Sequence, residues 1–290
     1  MDPTTLPADL GRAWSRWAVD PGNTAVLLAA GSAYVAGLVR VRRLGRPHPS
    51  GRVASFAAGW LLLTVGLLSP IDAYADVSFT VHMLQHLLLT LVAPPLLVAG
   101  APITLALSAL PIGPARALAG AMRSRPVRVL GNPVVGWCLF VGVPVAIHAS
   151  RVFDLALTSA GWHALEHSAW VGAALIYWWP IVGADPSPRP MGFGARLLSL
   201  LLAMPAMSFL AVAIYSADAP LYATYASLPP PWGPGALEDQ RNAAALMWVA
   251  GNLALVVAIV LVAASWKRHD DEAQRRLEAR EDAAEAGANS

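Results

Sequence analysis

Residues 243–265 have the sequence AAALMWVAGNLALVVAIVLVAAS, a run of twenty-three residues without a charged side chain. A helix of about 20 mostly apolar residues is long enough to cross the hydrocarbon core of a bilayer. The run therefore predicts a transmembrane helix. Six further stretches have a similar apolar character: 24–39, 53–69, 79–99, 134–150, 162–182 and 195–215. We predict an all-α polytopic membrane protein, a bundle of seven transmembrane helices.

The overall composition also indicates a membrane protein. Of 290 residues, 56% are hydrophobic and 13% are charged, whereas soluble domains carry about 25% charged residues. So few charges cannot cover a surface that faces water. The net charge of +2 is small and dispersed among the links, so we predict no nucleic-acid partner. Cys138 is the single cysteine, which excludes an intrachain disulfide.

Basic residues indicate the orientation of the predicted helices. Arginines concentrate in alternate links, while the other links are acidic and poor in basic residues. The basic links carry Arg40, Arg42, Arg43, Arg46 and Arg52, then Arg116, Arg123, Arg125 and Arg128, and finally Lys267 and Arg268. Because cytoplasmic links are enriched in Lys and Arg, we predict that the N-terminus lies outside and the C-terminus in the cytoplasm. The predicted domains are a seven-helix membrane domain over 1–266 and a charged cytoplasmic tail over 267–290.

Five of the seven histidines fall near helix ends that this orientation places at the outer surface. His82 and His86 form one pair at i, i+4 spacing and His163 and His167 another, so each pair lies on one helical face, while His148 closes the fourth span. Ionisable side chains in a membrane are costly and usually functional. The alternative for any single one is an interfacial histidine that faces water. We interpret the five together as a metal site that faces outside.

Two methionines, Met207 and Met247, lie at the same predicted depth as the histidines. Imidazole combined with thioether favours copper, especially Cu(I), so the predicted metal is copper, with zinc as the alternative. Glu166, Gln85 and Asp239 are the candidates for neighbours that orient these ligands. The link before the seventh span is rich in Pro, Tyr and Trp, and we expect it to fold over the histidines.

Several motifs of the chain together resemble one protein family. They are His82-Met-Leu-Gln-His86, Ala93-Pro-Pro-Leu-Leu-Val-Ala-Gly-Ala-Pro102, Trp162-His-Ala-Leu-Glu-His167, Tyr177-Trp-Trp-Pro180, Met207-Ser-Phe-Leu-Ala-Val-Ala-Ile214, and Glu238-Asp-Gln240 with Met247-Trp248. In these motifs, over most of spans three to seven, the chain resembles the Caa3-type CtaG family of membrane assembly factors for cytochrome c oxidase. The resemblance implies a non-enzymatic role in maturing a haem-copper oxidase in the bacterial cytoplasmic membrane.

The resemblance and the ligand types together lead to one expected function. We expect an assembly factor that binds copper through an outer-leaflet His/Met cluster and helps load or mature the oxidase. The expected partners are oxidase subunits or another copper chaperone, together with the lipid bilayer, and a homo-oligomer is left open.

The residues alone leave other functions open. The sequence His163-Ala-Leu-Glu166-His167 also matches the H-x-x-E-H zinc-peptidase pattern, which would make the protein an intramembrane zinc metallohydrolase with Glu166 as its base. Histidines on facing helices could instead ligate haem in a b-type membrane cytochrome, although such ligands usually lie in both leaflets. A scaffold with structural histidines is the third alternative.

Overall fold

The computed structural model describes residue 17, residues 20–227 and residues 233–288, and within them the chain is helical, with no β-strand. The helices are α1 (Pro21–Arg43), α2 (Ser50–Leu68), α3 (Pro70–Ala75), α4 (Phe79–Leu87), α5 (Ala93–Ala99), α6 (Pro102–Ala109), α7 (Ile112–Met122), α8 (Arg125–Leu130), α9 (Pro133–His148), α10 (Val152–Thr158), α11 (Ala160–Val182), α12 (Phe193–Tyr215), α13 (Ala223–Ser227) and α14 (Ala236–Ala288). The prediction of an all-helical membrane protein is confirmed.

Helices occupy all seven predicted stretches, but they differ in length and apolar character, which decide whether a helix can cross a membrane. Five helical segments of the described chain are long and apolar enough to cross it: Pro21–Arg43, Ser50–Leu68, Phe79–Ala109, Phe193–Tyr215 and Ala236–Glu281. Pro133–His148 and Val152–Thr158 would make a sixth span if taken together, with a bend of 74° between them. The helix α11 has 23 residues but is not among these candidate spans.

The helix that carries the first histidine pair is broken by prolines at its centre. A π-helical turn over Leu88–Val92 separates α4 from α5. Pro94 has no N–H to donate to the carbonyl of Thr90, four residues earlier. The indole Nε1 of Trp178 donates to that carbonyl instead, at 2.8 Å. This bond fixes α11 against the middle of the broken helix.

Close packing sets the depth of the two histidine pairs. The side of α11 packs against the π-helical turn and α5, and α14 packs against both α4 and α12. At Gly59 of α2, an added Cβ atom would lie 2.8 Å from both the Ala93 carbonyl and the Leu97 amide nitrogen, so only glycine allows α2 to approach α5 this closely. The helices α4 and α11 thus bring His82, His86, His163 and His167 to the same end of the bundle.

The last helix extends beyond the predicted span. It begins at Ala236 and continues through the predicted tail to Ala288 without a break. The part after Trp266 is exposed as far as the side chains are described, to Glu281. The boundary between a membrane domain and a tail at residue 266 stays a prediction, since the backbone does not mark it.

Candidate metal centre

The pair His82 and His86 forms one group with Glu166, which we call the inner group. The Nε2 atoms of the two imidazoles lie 2.5 Å apart, and Oε1 of Glu166 lies 3.8 Å from the first and 3.6 Å from the second. All three residues are at most 2% exposed. Glu166 comes from α11 and the histidines from α4, so the group depends on the packing of α11 against the π-helical turn and α5, which continue α4.

The carboxylate of Glu166 is buried beside the indole of Trp170, which interacts with it as a weak hydrogen-bond donor. Neither carboxylate oxygen has a partner with full hydrogen-bond geometry, and Nδ1 of His86 has none either. Burying an unpaired carboxylate in an apolar interior is costly unless a cation or a proton compensates it. The ligand atoms of the inner group all lie within 4.8 Å of one another. The donor types suit a metal ion, because a cation among them would compensate the carboxylate and use the imidazole lone pairs. The two Nε2 atoms, 2.5 Å apart, would have to separate towards roughly 3.3 Å to share one ion in tetrahedral geometry.

The pair His163 and His167 forms a second group with Asp72, which we call the outer group. Its three ligand atoms also lie within 4.8 Å of one another, and the two Nε2 atoms are 3.2 Å apart. Two nitrogens at about 2.0–2.1 Å from one ion in tetrahedral geometry would be separated by roughly 3.3 Å. His167 is buried, whereas His163 and Asp72 are partly exposed. This group therefore lies nearer to the surface than the inner one.

Asp72 lies in the short helix α3 between two candidate spans and is the ligand candidate that sequence reasoning missed. Burial raises the pKa of its carboxyl from 3.8 to about 6, although the charge of His163 and a hydrogen bond from Gln85 act in the opposite direction. From the sequence, Asp72 had served only as evidence for an acidic outer link. Its one further signal was its position soon after a span, in the link that leads to the first histidine pair.

The two groups are connected through the residues beside each histidine pair. Gln85, next to His86, donates from Nε2 to Oδ1 of Asp72 at 2.8 Å and to the Gly66 carbonyl at 2.8 Å. Glu166, next to His167, faces the inner group. The rings of His86 and His167 have centroids 5.9 Å apart. The helix α4 therefore contributes its histidines to the inner group and orients Asp72 of the outer group through Gln85. The helix α11 contributes its histidines to the outer group and Glu166 to the inner group.

His148, another predicted ligand, lies beside these groups but belongs to neither. Its Nδ1 bonds with the Pro144 carbonyl at 2.9 Å, and its Nε2 has no partner. The ring of Phe153 lies between it and the inner group, with its centroid 5.0 Å from His148 and 5.1 Å from His82. His148 is 8% exposed, so it is packed inside the bundle and does not face water.

The predicted methionines gather on the other side of His86. Met207, Met247 and also Met83 line a small cavity of about 30 Å³ together with His86 and Trp170. Met83 lies three residues before His86 on α4 and lines the same cavity as the two methionines. Thioether and imidazole groups therefore surround one space next to the inner group.

Asp239, the third predicted neighbour, acts on the backbone of α4. Its carboxylate accepts hydrogen bonds from the amide of Phe79 at 2.6 Å and from the amide of Thr80 at 3.2 Å. A carboxylate at this position caps the first turn of a helix and favours its dipole. Asp239 thus fixes the start of α4 one turn before His82 and makes no contact with an imidazole.

The link before α14 covers the histidine end of the bundle over its described part. Tyr225 is 5% exposed and donates to the Ala75 carbonyl at 2.6 Å. Its ring centroid lies 6.3 Å from that of His82. The expectation that this link folds over the histidines holds for Tyr222 and α13, while residues 228–232 lie outside the described residues.

These groups lie within a segment that matches a known family. The family described as cytochrome c oxidase caa3 assembly factor matches residues 32–269. The chain belongs to this family. The resemblance inferred from the motifs is therefore confirmed, and the match includes every ligand candidate of the chain, from Asp72 to Met247.

Two relatives that are similar to the chain come from mycobacteria. The chain is 34% identical over 286 residues to the uncharacterized protein ML1998 of Mycobacterium leprae and 30% identical over 286 residues to the uncharacterized protein Mb0105 of Mycobacterium bovis. Each alignment covers 95% of this chain but 42% of the relative, so the chain spans less than half the length of these relatives. No solved structure matches the chain.

Proposed function

We propose that this assembly factor binds copper in the buried cluster of histidines and methionines and supplies it to cytochrome c oxidase. Membership of the family gives the connection to oxidase assembly and suggests a non-enzymatic role. The observation that carries the metal proposal is Glu166, a buried carboxylate without a hydrogen bond of full geometry, which faces two imidazole nitrogens. His82, His86, His163 and His167 are the proposed imidazole ligands, with His148 beside them.

Charge favours Cu(I) over a divalent ion at the inner group. Two neutral imidazoles and one carboxylate carry a single negative charge, which a monovalent cation neutralises. A divalent ion would leave one net positive charge in a region where the ligands are at most 2% exposed, and a buried net charge is costly. Met207 and Met247 beside His86 add soft sulfur donors, which prefer Cu(I).

The histidine cluster would face the outside of the bacterial cytoplasmic membrane if the chain crosses seven times. Arginine-rich links support this orientation. Its test is labelling of single cysteines at positions 45 and 227, in a Cys138→Ser background, by an impermeant thiol reagent. We expect labelling of position 45 only from the cytoplasmic side and of position 227 from outside. The reverse pattern would place the cluster in the cytoplasm and contradict delivery on the outer side.

A zinc hydrolase built on His163-x-x-Glu166-His167 has less support. In that mechanism the glutamate would act on a water held by its own two histidines, whereas Glu166 faces His82 and His86. A b-type cytochrome is also disfavoured, since the cavity beside His86 has a volume of about 30 Å³, far less than haem needs. A Soret absorbance or peptide hydrolysis by the purified protein would support one of these rivals instead.

Elemental analysis of the purified protein tests the metal proposal. We expect copper in the wild type after loading with Cu(I), and much less in the His82→Ala/His86→Ala variant. His269→Ala is the matched control, because His269 is an exposed histidine on the cytoplasmic extension of α14 and its loss should leave copper unchanged. Equal copper in all three proteins would contradict the proposal.

A further inference from the structure

We propose that the cluster contains two separate copper positions, the outer group of Asp72, His163 and His167 and the inner group of His82, His86 and Glu166, and that copper passes from the outer to the inner one. This inference rests on the proposed copper function. It adds a ligand, Asp72, and a direction of movement that neither the motifs nor the family description supplies.

Each group is complete enough to hold its own ion. Both contain two imidazoles at i, i+4 spacing on one helix and one carboxylate from another element, and in both the three ligand atoms lie within 4.8 Å of one another. The carboxylate of Glu166, which accepts no hydrogen bond of full geometry, faces the inner group. The carboxylate of Asp72 is held towards the outer group by Gln85. Among the described residues, neither group of ligand atoms within 4.8 Å of one another includes both carboxylates.

Exposure decreases from one group to the other. His163 and Asp72 are partly exposed, His167 is 4% exposed, and the inner three residues are at most 2% exposed. An ion that arrives from the surface would therefore meet Asp72 and His163 first. His167 is the most buried ligand of the outer group and the one whose ring lies next to His86.

His86 and His167 form the contact between the groups. Their ring centroids are 5.9 Å apart, so exchange of one imidazole for the other would move an ion by only a few ångströms. Each group also has one carboxylate, so a bound Cu(I) is neutralised at either position. Occupation of one position by Cu(I) therefore repels a second ion only weakly, and both can be filled together.

Copper per chain in two variants tests whether there are two positions. Asp72→Asn/His163→Ala removes outer ligands but leaves His167, and the amide introduced in place of the Asp72 carboxylate keeps an oxygen that can accept from Gln85. His82→Ala/Glu166→Gln removes inner ligands but leaves His86. After loading of the full chain with Cu(I) and removal of free copper, we expect two ions in the wild type and one in each variant. The control Asp218→Asn/His269→Ala replaces exposed residues of the same types and should keep two.

The possible stoichiometries separate the two proposals. One ion in the wild type and none in either variant would overturn the two-position inference and leave the copper function intact. No copper in the wild type would overturn the proposed function itself. Asp72→Asn alone provides a second test if the double variant does not fold, with one ion expected; two ions bound as tightly as in the wild type would exclude Asp72 as a ligand.

The direction of movement is tested by the rate at which the inner group fills. Copper is presented as a complex with a coloured Cu(I) chelator, and transfer is followed by the loss of its absorbance. We expect the Asp72→Asn/His163→Ala variant to fill its one remaining position at least about tenfold more slowly than the inner position fills in the wild type, by analogy with the loss when groups that support a metal site are removed. Equal rates would overturn passage through the outer group.

Discussion

Two buried carboxylates, Glu166 near the start of α11 and Asp185 just after its end, have contrasting surroundings. Asp185 is 6% exposed and accepts hydrogen bonds from the amide of Ile103 at 3.0 Å, the amide of Thr104 at 2.7 Å and the hydroxyl of Thr104 at 2.7 Å. Glu166 is 2% exposed and accepts no hydrogen bond of full geometry. Asp185 stabilises the start of α6, so its burial is explained by the fold. The burial of Glu166 has no such structural explanation and calls for a bound cation or a proton.

The largest expected difference between the two carboxylates is in their contribution to copper affinity. Glu166→Gln keeps the shape of the side chain but removes its charge, so we expect Cu(I) to bind about 10–100-fold more weakly or to be lost. The fold should be unaffected, because an amide is less costly to bury than an unpaired carboxylate. A competition titration with a Cu(I) chelator and a thermal unfolding curve in detergent measure the two effects. Wild-type affinity in this variant would remove the reason for treating Glu166 as part of a metal site.

For Asp185→Ala we expect a loss of stability without a loss of copper affinity. Loss of its carboxylate leaves two amide groups at the start of α6 without partners, which should lower the free energy of unfolding by about 1–3 kcal/mol. Copper binding should be unchanged, since Asp185 contacts none of the candidate ligands. A lower midpoint of thermal unfolding with normal Cu(I) affinity would sharpen the contrast with Glu166. A loss of copper without a change in stability would break it.

The same contrast shows what the sequence can predict. Spacing on a single helix was enough to pair His82 with His86 and His163 with His167, and apolar run lengths located the helices. The partner of Glu166 was not predictable, because it depends on how α4 and α11 pack, more than 70 residues apart in the chain. Spacing within its own helix pairs Glu166 with His163, and only the packed bundle directs it to His82 and His86.

The role of Asp72 and the bond that compensates the proline break could not be predicted from the sequence either. The chain contains other aspartates in outer links, such as Asp76 and Asp218, and nothing local separates Asp72 from them. Its role depends on the hydrogen bond from Gln85. Pro94 predicts a disturbed helix, but the compensating bond from Trp178 to Thr90 joins residues 88 positions apart. Such contacts follow from tertiary packing and leave no spacing pattern in the sequence.

A smaller loss of Cu(I) affinity is expected when the methionines are replaced. This change tests whether their thioethers set the metal preference of the site or only pack within the fold. Met207→Leu/Met247→Leu conserves most of the packed volume, so we expect the fold to remain. Cu(I) affinity should fall by less than in Glu166→Gln, and Zn(II) affinity should not change, because thioethers favour the softer ion. Parallel titrations with the two metals measure this difference. Equal losses for both metals would assign the methionines to packing alone.

Oxidase activity at low copper tests whether the histidine cluster supplies copper to the oxidase. Cells that lack this protein would be complemented with the wild type, with His82→Ala/His86→Ala, or with His269→Ala as a control, each checked for normal amounts in the membrane. We expect the wild type and the control to restore active, copper-loaded cytochrome c oxidase, whereas the double variant should leave oxidase polypeptides without their copper and activity. Full oxidase activity with the double variant would show that the histidine cluster does not supply this copper and would leave it as part of a scaffold.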